Sequence, residues 1–516
     1  MSRIMLPLLR VPQNDGGYFV YPPFRHIPRL LLDNASLLQR GNITINGLSL
    51  PELHRLLKRE IAPYTDPPLP EICQTADFPV VVSGHQPELD HPGVWLKHFF
   101  LHGLAQQFGA IPLHLIADHD LPKRNYLHVP RIPQSEEELI TRVLVPYDRA
   151  DLTTPYELRP LYDINLFTAV PQRLKRLTRP WSFEPLALRR WPQSVQPGVR
   201  LVELLTLLRR NQERQWGCHN HELPVSTLAR TQAFRRFAQH LMADLSRFRQ
   251  VYNSALQRFR DEEVTQQPVR SIPELEPDEA PFWEMRGHQR LRATRHSPLE
   301  TLRPRALTLT LFCRLVLGHC FLHGLGGALY DQVTDAIIAD YFGLAPPHYL
   351  VVTGTLYLPL SRDTEAYCYG KYGANSENPD PAKLWHLWRD VYWNPQRHLT
   401  AGAPFEAKRL AERKLILIRQ EPPWSERTTR RRWFQALREV TETLRGYVSE
   451  SLQSLQNQHQ LSQRWQQCQK VLRRRDYAWV LFPEEVLRPF LTQFLDWRPL
   501  LPQHTGELDH EEEGDV

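Results

Sequence analysis

The chain has 516 residues, 41% hydrophobic and 23% charged, with a formal net charge of +6. That length can bury a large core in several domains, and so small a charge gives no argument for nucleic acid or a membrane surface as partner. No run approaches the ~20 apolar residues of a membrane span, the N-terminus lacks the apolar core and cleavage site of a signal peptide, and six cysteines without paired spacing point to reduced thiols in the cytoplasm.

Residues 1–77 are rich in proline and turn signals and read as a segment wrapping a domain edge. Inside it, residues 49–60 read as a short helix with Ser49 as N-cap and Pro51 in the first turn. The pattern changes at residue 78. An apolar run at 79–82 leads into the polar turn Ser83-Gly84-His85-Gln86-Pro87-Glu88-Leu89-Asp90-His91-Pro92-Gly93, then a helix over 94–108 and a second apolar run at 111–117 ending in Asp118-His119-Asp120. Short β-rich runs flanking an amphipathic helix predict a βαβ unit with parallel strands. Residues 138–145 predict one further strand. The helical periods over 199–215 and 225–262 predict an insertion that fills 151–270 and separates two halves of a sheet domain, 78–150 and 271–400. In the second half, 280–283, 291–294 and 348–358 read as strands. Residues 307–322 read as a buried apolar segment feeding a glycine turn, with a helix over 328–341, and 365–380 as loop. Residues 401–505 predict helices. Leu437, Val440, Leu444, Val448, Leu452 and Leu455 form a seam that suggests an antiparallel hairpin. The acidic tail, 506–516, reads as disordered.

Three clusters carry chemistry. Gly84 permits a sharp turn and close approach of a ligand to the backbone beside Ser83 and Gln86. His91 and Gly93 stand where a helix begins, and unpaired N–H groups there favour an anion. Asp118 and Asp120 can hold an amine or a ribose hydroxyl, with His85, His91 and His119 as acid/base candidates. Neighbouring residues on a strand face opposite ways, so hydrogen bonding is favoured over a metal for that triplet. In the second half, His323, Gly324, Gly326 and Gly327, followed by Tyr330 and Asp331, form a glycine-rich helix start. It lacks the Lys and Ser/Thr of a Walker loop. The run Cys218-His219-Asn220-His221-Glu222 is too tightly spaced for a zinc site, and no metal is expected.

The order of strand, Ser-Gly-x-Gln turn, Pro/Gly helix start, long helix, strand and Asp-His-Asp resembles the bacillithiol synthase family. Tyr252-Asn253, Pro281-Phe282-Trp283, Gly324 to Gly327 with Tyr330, and Leu481-Phe482-Pro483 agree in order, as spaced landmarks over residues 78–500. His85 stands where that family's pattern has Gln, and the glycine turn lacks its Pro and Glu. The resemblance implies a Rossmann-like parallel core, helical insertions and a C-terminal coiled-coil arm supporting a homodimer. It further implies a cysteine-adding ligase acting on an amine-bearing metabolite, with a site for ATP or ADP. Two other readings stand beside it: a nucleotidylyl or adenylyl transferase, and a non-catalytic metabolite-binding scaffold.

Overall fold

Three consecutive valines, stiff at χ1 and suited to a pleated surface, are why the chain extends after residue 79. The protein is described by a computed structural model covering residues 10–40, 43–75, 78–133, 138, 140–261, 272–360, 364 and 380–497. Its strands are β1 (Tyr18–Tyr21), β2 (Thr44–Ile45), β3 (Leu48–Ser49), β4 (Val80–His85), β5 (Ile111–Ile116), β6 (Tyr126–Arg131), β7 (Thr141–Pro146), β8 (His221–Pro224), β9 (Glu279–Arg286), β10 (Gln289–Thr294), β11 (Leu302–Pro304), β12 (Cys320–His323) and β13 (Leu350–Gly354). The central six-stranded sheet has the order β1-β13-β12-β4-β5-β8. All its pairings are parallel except the edge strand β1 on β13. The other strands form a β9–β10–β11 sheet and two hairpins.

The helices that matter here are α1 (Ile27–Arg40), α2 (Leu50–Ile61), α3 (Pro92–Phe108), α4 (Leu201–Gln215), α5 (Gln232–Ala243), α6 (Leu245–Asp261), α7 (Leu325–Ile337), α8 (Pro381–Trp393), α9 (Phe405–Arg419), α10 (Arg427–Gly446) and α11 (Ser449–Leu472). Both faces of the sheet are covered, as parallel sheets require. Val81 joins a cluster with Trp95, Phe99 and Phe100 of α3. Val80 and Val82 join a second one with Leu53 and Leu57 of α2 and Phe234 and Phe237 of α5. Phe99, Phe100, Leu101 and Leu104 are fully buried, so α3 alone contributes on the order of 10 kcal/mol of apolar burial before entropy is counted. It ends at Gly109, whose φ of 60° is left-handed.

Several expectations are met. Ser49 caps α2 in a capping box with Glu52, and the strand–helix–strand unit over 80–116 is present with parallel pairing. Other boundaries move. Ser83, Gly84 and His85 belong to β4 rather than to the turn, because they pair with His114, Leu115 and Ile116. The single helix expected over 225–262 is broken into Val225–Leu228, α5 and α6. Thr231 caps Phe234, and the Glu60 carboxylate of α2 accepts the N–H groups of Gln232 and Ala233. The helical segment 151–270 also carries β8, which completes one sheet edge.

The expected hairpin within 430–472 is replaced by two successive helices with different partners: α9 packs on α10, and α8 on α11. Leu437 to Leu455 therefore do not face one another across a turn. Cys73, Cys218, Cys313 and Cys320 are free thiols, but Cys468 is disulfide-bonded. That corrects the expectation of six reduced thiols, because disulfide pairing follows spatial proximity rather than spacing along the chain. The strand expected over 138–145 is β7, Thr141–Pro146; residue 139, residues 365–379 and the acidic tail lie outside the described residues. Among the described residues no helix is long and apolar enough to cross a membrane.

Candidate functional site

The parallel strands run in the chain order β4, β5, β8, β12, β13. The chain therefore steps outward from β4 to β8, returns to place β12 on the other side of β4, and steps outward again. In open parallel sheets the crevice at such a reversal, beyond the strands' carboxyl ends, is where ligands bind. Gly84 and His85 close β4 at this edge, and His323 and Gly324 close β12.

Lys97 of α3 lies between these two strand ends. It is 4% exposed. Its ammonium has one hydrogen-bond partner among the described residues, the Gly84 carbonyl at 3.4 Å. The last three atoms of its side chain stand 3.9–4.0 Å from where a Cβ on Gly324 would be. Gly324 is the N-cap of α7 and supplies no side-chain cap, so the first N–H groups of that helix are left without a cap from it beside the same lysine. Burial pulls Lys97 down to about 8, although Asp90 nearby opposes this.

On the α3 side of the crevice, His85 Nδ1 is 2.9 Å from Asp90 Oδ2. Burial would raise Asp90, but His85, Lys123 and Arg124 outweigh it and hold the carboxyl at about 2. Two residues away, burial and the charge of Asp90 raise Glu88. Its Oε1 accepts the Lys123 N–H at 3.0 Å. Two carboxyls in one cleft are thus pushed in opposite directions, one toward the acid and one toward the base. Gln86 ties the cleft to β5 by donating to Asp120 Oδ2 at 2.9 Å, and it accepts from Lys123 Nζ at 3.3 Å. Arg290 of β10 also donates to Asp120. Burial alone would raise Asp120; the charges of His119 and Arg290 and these hydrogen bonds hold it below the ordinary value. Its charge reaches Tyr330 of α7, whose hydroxyl is raised mainly by burial.

Beneath the cleft a shaft of about 20 Å³, room for one water-sized ligand, opens among His85, Glu88, Asp90, His98, His114 and Arg209. His98, His114 and Glu222 bring three ligand atoms within 4.8 Å of one another, and burial keeps both imidazoles neutral. A metal could be held there by chemistry alone. Arg209, however, already bonds Glu213 and Glu222 at 2.6 Å each and lies 3.2 Å from His98 Nδ1, so the guanidinium supplies the positive charge. Ser83 Oγ is 2.9 Å from His114 Nδ1 in the same buried network.

Other residues singled out from sequence are occupied elsewhere. His91 caps α3: its Nδ1 accepts the Gly93 N–H at 3.0 Å, and its Nε2 donates to the Leu356 carbonyl at 2.7 Å. Burial lowers it to about 4. The start of α3 is therefore filled by its own cap and not open to an anion. Gly93 is glycine because a Cβ there would stand 1.8 Å from the Gly354 carbonyl oxygen of β13. Asp118 accepts from the N–H and hydroxyl of Ser226, which fixes the turn after β8. His119 is buried, with Nδ1 lacking a hydrogen-bond partner among the described residues. His323 Nε2 and Arg314 Nη1 both bond Asp331 Oδ2 at 2.8 Å, in a closed buried cluster. Gly327 leaves room for the His323 ring, 2.6 Å from its Cβ position, and Gly326 is open to solvent.

The crevice thus gathers His85, Gln86, Asp120 and Gly324, and sets His91, Asp118, His323 and Asp331 apart as scaffold. Glu88, Asp90, Lys97, His98 and His114 were not singled out from sequence. Their signal was present: a lysine and histidines inside a helix and a strand otherwise apolar all round are expensive to bury. These features define a mixed α/β protein with a polar crevice at the reversal of a mostly parallel sheet. No family model matches the chain, and no curated protein matches it.

Proposed function

We propose that this protein is a Rossmann-like ligase that joins the carboxyl of a cysteine-like amino acid to the amine of a small metabolite, in the manner of the bacillithiol synthase family. Two features support the Rossmann-like reading: the strand order, which counts 3-2-1-4-5 from β8 to β13, and the helices covering both faces. The observation that carries the functional reading is the meeting of the His85–Asp90 pair, the neutral-leaning Glu88 and the under-bonded Lys97 at one edge.

His85, oriented by the ionised Asp90, takes the proton that the attacking ammonium must lose, and Asp90 stabilises the imidazolium that forms. The freed amine nitrogen forms a bond to the acyl carbon, and the activated oxygen leaves with its bonding pair. ATP, when bound, supplies that leaving group. Lys97 and the start of α7 face the anionic oxygens, and Glu88 is placed to return a proton to the departing group.

The test is incubation of the purified chain with cysteine and glucosaminyl malate, with and without ATP, followed by mass spectrometry. An ATP-dependent condensed thiol, lost in Asp90→Asn, is the expected result. Neither product nor ATP turnover would sink the proposal. Pyrophosphate release without an amide product would instead select an adenylyl transferase, the second reading, which the phosphate-suited pairing of Lys97 with the α7 N-terminus favours.

A further inference from the structure

A separate cavity lies away from this chemistry, at the amino ends of the strands. It has a volume of about 690 Å³ and is bounded by α1, the start of α2, the segments entering β4 and β5, and the turn before β12. With strands of six residues at ~3.3 Å each, it stands roughly 15–20 Å from the crevice at the carboxyl ends. The size is that of a small-molecule site. Its walls are apolar, with Leu31, Leu38, Phe108 and Leu315 among them, and Leu32 at the mouth is 68% exposed.

Four polar side chains reach it: Gln39, His54, Arg55 and His319. Each can donate a hydrogen bond, and no carboxylate is among the lining residues. Two are fixed in orientation. His54 Nδ1 is 2.8 Å from the Val316 carbonyl, and His319 Nδ1 accepts the Val80 N–H at 3.1 Å, which leaves Nε2 of the neutral ring as its donor. The rings meet edge to face at 5.0 Å. An apolar chamber whose one charged fitting is the Arg55 guanidinium, with no carboxylate beside it, is complementary to an apolar body ending in an anion. We propose that this chamber is a second ligand site, separate from the crevice, for an amphipathic monocarboxylate of medium chain length. The carboxylate sits by Arg55, and the chain lies along Leu31, Leu38 and Phe108.

The probes are decanoate and, as its neutral counterpart, decan-1-ol, titrated calorimetrically into the full chain. Decanoate should bind the unmodified protein and the crevice variant Asp90→Asn equally. Arg55→Gln, at an exposed position, should weaken decanoate about tenfold, the worth of one charge-assisted hydrogen bond, and leave decan-1-ol unchanged. Ala35→Trp, which places an indole in the chamber, should abolish both. Failure of the unmodified chain to bind decanoate, or equal decanoate affinity in all forms, would overturn the proposal.

Discussion

Two clusters in this molecule combine a carboxylate, an imidazole and a cation, and they are built to opposite ends. In the first, Asp331 receives both Arg314 and His323 at 2.8 Å, and all three are at most 3% exposed. Arg314 also bonds Asp335 and the Pro347 carbonyl. In the second, Asp90 and His85 pair at 2.9 Å while remaining 17% and 21% exposed, and Lys97 beside them makes a single long hydrogen bond. In the first cluster the buried Arg314 and Asp331 charges face each other directly and join α7 to the segment before β12. The second is left incomplete at the edge where the strand order reverses, with a buried cation that the fold does not neutralise. Residue types alone do not separate scaffold from site; whether the buried cation has a carboxylate bonded directly to it does.

The comparison can be broken by substitution. The largest effect should come from Arg314→Leu, which leaves the buried Asp331 charge with His323 alone. We expect a loss of about 3–5 kcal/mol in chemical denaturation; a loss below about 1 kcal/mol would show that the closed cluster is not structural. Next, Asp90→Asn should lower turnover by about 10²-fold or more while costing only about 1 kcal/mol of stability, its pair being partly exposed. Equal damage to folding would make it a second scaffold.

Lys97→Met should have the opposite sign, since it removes a buried cation that folding must desolvate. At pH 7 it should gain about 2 kcal/mol, read from the denaturation midpoint, while weakening anion binding at the crevice. The pH dependence follows from the same group. Lys97 sits at about 8 in the folded chain against an ordinary 10.5. Between those values the unfolded chain holds a proton that the folded one lacks, so stability rises with pH. The advantage of Lys97→Met should therefore be full below pH 8 and fade toward pH 10.5; an advantage independent of pH would deny the lowered ammonium. The smallest effect belongs to Gly326→Ala. Nothing lies within 4 Å of the added methyl, so α7 should gain about 0.5–1 kcal/mol in thermal melts. A fall in anion affinity in the same variant would place the ligand against this helix turn.

Local physics determined much of what could be read from the chain alone. Valines at 80–82, the Pro92-Gly93 start and the left-handed stop at Gly109 each act within a few residues, and the βαβ unit over 80–116 was legible for that reason. So was α2, whose Ser49 and Glu52 close a capping box three residues apart. The stretch Ser83 to Gln86 was recognisable as lying at a strand end, and Gln86 and Asp120 do meet there. The remainder depended on contacts distant in sequence. Glu60 of α2 helps divide what reads as one long helix at 225–262. Parallel pairing draws β8 and β12 to opposite sides of the β4–β5 pair, and α10 and α11 take separate partners. Above all, tertiary structure decided which polar residues are satisfied: it closed His91, Asp118 and His323 into caps and ion pairs and left Lys97 facing Gly324. Burial and pairing belong to the packed chain, and the cost of an unpaired charge exists only once water has been removed from around it.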